Sequence, residues 1–93
     1  MFNIQGFYKI KSISNCSLQK EKIKKYLMSK SVKGTVILSS EGINGTIAGK
    51  RSNVNDCLRF IKDKFSIGIF DSKNSSTCKF LPFYRAKVKV KKE

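Results

Sequence analysis

The first eleven residues alternate. Phe2, Ile4, Tyr8 and Ile10 fall on one side of an extended chain, and Asn3, Gln5, Phe7, Lys9 and Lys11 on the other. This predicts a half-buried strand over 2–11. The period then lengthens. Cys16, Leu18, Ile23, Tyr26 and Leu27 make a broad helical face, while Lys20, Lys24 and Lys25 turn away from it. A helix running to Ser31 is expected, with Asn15 as its N-cap and Gly34 supplying the left-handed residue that ends it.

Thr35 to Ser40 is β-branched and apolar and reads as a buried strand. Glu41-Gly42-Ile43-Asn44-Gly45 follows, and its Asn-Gly pair between extended runs predicts a tight hairpin connection into Thr46-Ile47-Ala48. Asn53 is placed to cap a second helix. In that helix Val54, Cys57, Leu58, Ile61 and Phe65 recur at helical spacing as the cleanest apolar stripe in the chain. Ile67 to Ser72 reads as a short strand and Phe83 to Lys92 as a longer one. The polar stretch Asp71 to Lys79 is a weak seam without an element of its own.

The order is β-α-β-β-α-β with one extra strand, the ferredoxin-like split βαβ pattern. The expected class is α+β: an antiparallel sheet with two helices on one face and the other face open or covered by a partner. With 93 residues the chain holds a single domain, 1–93.

Charge changes this picture more than composition does. Twenty Lys and Arg face six Asp and Glu, for a net charge of +14. Seventeen of the twenty cations are Lys, as an AT-rich genome would favour, but codon bias does not account for so few acids. A surplus of this size attracts polyanions through counterion release. The three cysteines, Cys16, Cys57 and Cys78, are odd in number and far apart, and the chain has no His. Neither a disulfide framework nor a zinc site is expected, and no cofactor. No apolar run approaches the length needed to span a membrane, so a cytoplasmic protein with reduced thiols is expected.

Two features could carry chemistry. In the last strand Arg85, Lys87, Lys89 and Lys91 recur at period 2, which puts four cations on one face at ~7 Å spacing. Like charges in such a row repel unless an anion lies over them. In the ferredoxin-like order the last main strand lies beside the first, so Lys9 and Lys11 are expected to join this face with Phe7 and Phe83 between the charges, a surface suited to stacked bases and phosphates. Lysines contact backbone more than they read bases, so the six cations predict RNA held by its phosphates. The second feature is Glu41, Gly42, Asn44 and Gly45, a loop whose backbone N–H groups could cradle an anion or meet another domain. Nucleophilic catalysis lacks a base, the acids Glu41, Asp56, Asp63 and Asp71 show no pairing pattern, and no nucleotide-binding loop is present.

Ser40-Glu41-Gly42-Ile43-Asn44-Gly45-Thr46-Ile47-Ala48-Gly49, the run from Pro82-Phe83 through Arg85 to Glu93, the opening Phe7-Tyr8-Lys9 strand and the Gly34 junction together resemble the N-terminal, acylphosphatase-like domain of the rhodanese-like tRNA uridine hydroxylases. The resemblance covers essentially the whole chain and rests most on the Glu41–Thr46 segment. It implies a part in oxygen-dependent formation of 5-hydroxyuridine at the tRNA wobble position. It also implies that the reactive cysteine belongs to a rhodanese domain absent from this chain, on the same or a separate polypeptide. None of Cys16, Cys57 or Cys78 matches that cysteine. The expected function is therefore non-catalytic: holding the anticodon arm of tRNA, or alternatively docking on the rhodanese domain without touching RNA. Hydrolysis of acyl phosphates is not expected. Lys11-Ser12-Ile13-Ser14 after the first strand offers neither the Gly-rich loop nor the Arg of true acylphosphatases.

Overall fold

A computed structural model describes residues 1–91. Its elements are β1 (Phe2–Ile10), α1 (Cys16–Ser29), β2 (Lys33–Ser39), β3 (Gly42–Gly49), α2 (Arg51–Phe65), β4 (Ser72–Cys78) and β5 (Ala86–Val90). The stripe on α2 does what its spacing demands: Val54, Cys57, Leu58, Ile61 and Phe65 are all buried. Ile23 and Leu27 of α1 meet them in one core with Val36, Leu38, Ile43, Ile47 and Val88 from the sheet. Tyr26 and Phe60 stack at 4.1 Å between the helices. Lys30 reaches Asp56 at 3.1 Å. The hydrogen bond to Asp56, then its charge, holds the Lys30 ammonium above its ordinary pKa.

The strand order is β4-β1-β3-β2-β5. The first four strands form the antiparallel ferredoxin-like sheet, and β5 adds to β2 in parallel, so the sheet is mixed rather than wholly antiparallel. Both helices lie on one face, α1 over β2 and β5, α2 over β1 and β3.

Several local expectations are corrected. The last strand does not lie beside the first. That place is taken by β4, built from the polar stretch 72–78, which pairs with β1 from Phe2↔Cys78 to Tyr8↔Ser72. Residues of β4 are exposed on both sides, as an edge strand allows, so it shows no apolar alternation. Its pairing is instead helped from the side. Gln5 Nε2 donates to Ser75 Oγ at 2.8 Å and to Asn3 Oδ1 at 2.7 Å. Ile67 and Phe70, expected in a strand, enter the core from an irregular segment.

Strand β1 has the opposite phase from the one assumed for a cationic face. Asn3, Gln5 and Phe7 face the helices and are buried, and Tyr8 and Ile10 face outward. Asn44-Gly45 is not a turn either. The reversal is at Ser40-Glu41, and Gly42–Gly49 is continuous strand with no left-handed residue. Gly45 is required for close approach: a Cβ there would sit 2.6 Å from the Thr35 carbonyl oxygen and 3.1 Å from the Phe7 ring.

The helix ends differ as well. Asn15 stands at the N-cap position of α1 as expected, but in a left-handed conformation and with no capping hydrogen bond from its side chain. Ser31 (φ 55), not Gly34, turns the chain after α1, with Val32 N–H donating to the Leu27 carbonyl and Ser31 N–H to that of Met28. Helix α2 begins two residues before Asn53, with Lys50 at the N-cap position, so Asn53 does not cap it, and Asp56 pairs with Lys30. Leu18 is largely exposed.

Candidate functional site

The face of the sheet away from the helices is built by register. One row crosses it as Ser72, Tyr8, Asn44, Ile37 and Lys89, and the next as Asn74, Gly6, Thr46, Thr35 and Lys87. Cations stand at the β5 edge, and the middle holds the uncharged Asn44, Thr46 and Thr35 beside apolar Ile37 and the Tyr8 ring.

Both ends of β5 are pinned by main chain. Gly34 N–H donates to the Arg85 carbonyl at 3.0 Å and Lys91 N–H to the Leu38 carbonyl at 2.7 Å. Val88 is buried against the core, which fixes the phase and turns Lys87 and Lys89 outward. Arg85 stands just before the strand and Lys91 just after it, both exposed. Among the described residues, no carboxylate lies within ion-pair distance of Arg85, Lys87, Lys89 or Lys91. These four residues stay together as the spacing requires.

Lys9 and Lys11 do not join them. Two strands, β3 and β2, separate β1 from β5. Lys9 is on the helix side, where its ammonium meets Asp71 Oδ1 at 3.2 Å. Lys11 follows the end of β1, and its N–H donates to the Glu41 carbonyl at 2.9 Å. Phe7 is core, packed on Phe70 at 5.1 Å.

The Glu41–Gly45 segment is also rearranged. Gly42, Asn44 and Gly45 belong to the β3 ladder, so their peptides do not form an anion cradle. What the segment contributes is the exposed Asn44 side chain on the open face and Glu41 at its end. Two hollows meet there, of about 440 and about 500 Å³. Tyr8, Ile37 and Asn44 line both, with Lys91 and Glu41 in the first and Phe83 in the second. Period counting placed Tyr8 with apolar Ile4 and Ile10. Gly6 and Gly45, small residues beside Phe7 and Tyr8, were the available sign that this region is shaped by close approach.

No catalytic set is assembled among the described residues. Burial, more than the nearby Asp56 charge, pushes the Cys57 thiol up to about 12, which keeps it protonated. Asp56 serves Lys30 and Arg59, and Asp71 serves Lys9. No group of three His, Cys, Asp or Glu side chains stands close enough to hold a metal ion among the described residues. In the β1–α1 loop, Lys11 and Ile13 N–H groups are committed to the Glu41 and Ser40 carbonyls.

The family of UPF0176 acylphosphatase-like domains matches residues 2–93. The chain belongs to that family. It is 41% identical over all 93 residues to a tRNA uridine(34) hydroxylase of Pelagibacter ubique, and spans 31% of that relative's length. Among solved structures it resembles acylphosphatase from Bacillus subtilis, with a TM-score of 0.63 at 8% identity, covering 98% of this chain and 100% of that one. An acylphosphatase from Coxiella burnetii gives a TM-score of 0.60 at 12% identity, covering 96% and 90%. These two likenesses establish the acylphosphatase-like fold and nothing of the chemistry. Among the described residues, no helix is long and apolar enough to cross a membrane.

Proposed function

We propose that this domain holds tRNA, by the sugar-phosphate backbone of its anticodon arm, for wobble-uridine hydroxylation carried out by a rhodanese domain on the same or another chain. The observation that carries this reading is the row Arg85, Lys87, Lys89 and Lys91. It is fixed in phase by Val88, and no carboxylate among the described residues offsets it. Four like charges on one strand edge destabilise the free protein, and an overlying polyanion removes that cost. The tRNA substrate in the name of the Pelagibacter relative supports the choice of polyanion.

Lys9 and Lys11 leave the proposed contact set because of where they stand. The remaining four predict modest, salt-sensitive binding with little sequence preference from β5 itself. The variant Arg85→Ala/Lys87→Ala/Lys89→Ala tests this. Its affinity for an anticodon stem-loop should fall, and the slope of log affinity against log salt should flatten by roughly 0.7–0.9 per lost phosphate contact. Unchanged affinity and slope would remove β5 from the interface.

A further inference from the structure

The cations explain attraction to a backbone, but the middle of the open face around Tyr8, Asn44 and Ile37 carries no charge of its own, Glu41 and Lys91 standing at one side of the first hollow. Resting on the reading that β5 carries a nucleic-acid backbone, we propose that the hollows around Tyr8 and Asn44 receive an unpaired nucleobase, with Tyr8 as the stacking platform and Asn44 as the edge-reading group.

Tyr8 and Asn44 are directly paired across β1 and β3, and Ile37 is the next partner on β2. Residues so paired hold their Cβ atoms roughly 5 Å apart, so one planar ligand touches both. Tyr8 is 41% exposed although it lies in the second strand of the sheet, flanked on both sides by paired neighbours. A partly exposed ring flanked by paired strands loses little freedom on stacking. Gly6, the next residue of β1 on the same side, has no side chain, and the Asn74 carboxamide lies over it, its Oδ1 2.6 Å from where a Cβ would stand, so a second amide borders the hollow. Asn44 brings one acceptor and two donors on a short side chain. No hydrogen bond to another described residue engages that amide. A carboxamide of this kind matches a base edge that sets an acceptor beside an N–H, as uracil does.

Lys89 continues the same row two strands further, roughly 10 Å away by strand spacing. Lys91 lines the first hollow itself. A single strand following β5 would therefore pass its bases over the middle of the sheet. Base–aromatic stacking combined with a cationic track is how open sheets hold single strands in general.

Two probes separate base from backbone: a short oligouridylate, and an abasic ribose-phosphate chain of equal length. Binding of each is read by fluorescence anisotropy. Tyr8→Ala and Asn44→Ala should each weaken oligouridylate binding roughly tenfold and leave the abasic chain unaffected. Tyr8→Phe should retain most of the affinity. Both side chains are exposed, so thermal unfolding of the variants should match that of the unsubstituted chain. Equal loss on both probes, no loss on either, or equal affinity of the unsubstituted chain for the two probes would overturn the base site. If Tyr8→Ala and Asn44→Ala discriminate while Arg85→Ala/Lys87→Ala/Lys89→Ala is silent, the base site is supported and the β5 backbone path is overturned.

Discussion

Where β1 ends, the Asp71 carboxylate accepts two hydrogen bonds, from Ile10 N–H at 2.7 Å and from the Lys9 ammonium at 3.2 Å. The first, then the second, holds its pKa below the usual carboxylate range. A depressed folded-state pKa adds stability that is present above the unfolded value of ~4 and is lost as pH falls through the folded one. Urea unfolding between pH 5 and pH 2 should therefore show a shallower acid loss for Asp71→Asn than for the unsubstituted chain. Identical acid slopes would mean the pair is inert. Cys57 predicts a second residue-scale outcome. Buried, with its thiol pushed up to about 12, it should resist iodoacetamide at pH 8 while the half-exposed Cys16 and Cys78 react. Two thiols should be counted in the native state and three in denaturant. A third reactive thiol before unfolding would contradict the packing of α2.

At the scale of elements, the difference between Asn44-Gly45 as a turn and as a strand has a measurable consequence. Were Gly45 a turn residue, Ala would be tolerated wherever its φ allowed. In β3 the added Cβ meets the Thr35 carbonyl and the Phe7 ring. Gly45→Ala should cost roughly 1–3 kcal/mol in denaturant unfolding, the usual range for overpacking, and a change within about 0.5 kcal/mol would contradict the register. The helices were legible in the sequence because burial imposed a period on them, most plainly in Val54, Cys57, Leu58, Ile61 and Phe65. Strand β5 was legible in Val88 and Val90 against Lys87 and Lys89. Strand β4 was not. Its seven residues are held by main-chain pairing and by Gln5 and Ser75, and neither leaves an apolar pattern. The phase of β1 misled for a related reason. Asn3 and Gln5 occupy core-side positions because Ser75 and Ser76 meet their amides, so polarity no longer reported direction.

Across the whole molecule, the position of β5 decides what the charge can do. With β4 in the slot beside β1, the last strand moves to the far edge, and its cations are parted from Lys9 by the width of two strands. The six-cation face foreseen in the sequence becomes a four-cation edge bordering the uncharged, partly aromatic surface around Tyr8. The cation row itself was readable from spacing, but its neighbours were not, because they depend on strand order. A net charge of +14 would draw any polyanion weakly. An interface should do more than that. The most direct measurement is binding of this chain to a tRNA anticodon stem-loop and to heparin, each titrated across salt. Saturable binding of the stem-loop, tighter than heparin and persisting at physiological salt, with a slope equivalent to roughly three or four phosphates, is the predicted result. Stem-loop binding no stronger than heparin, or absent at physiological salt, would contradict it and leave docking on a partner domain as the role of this face.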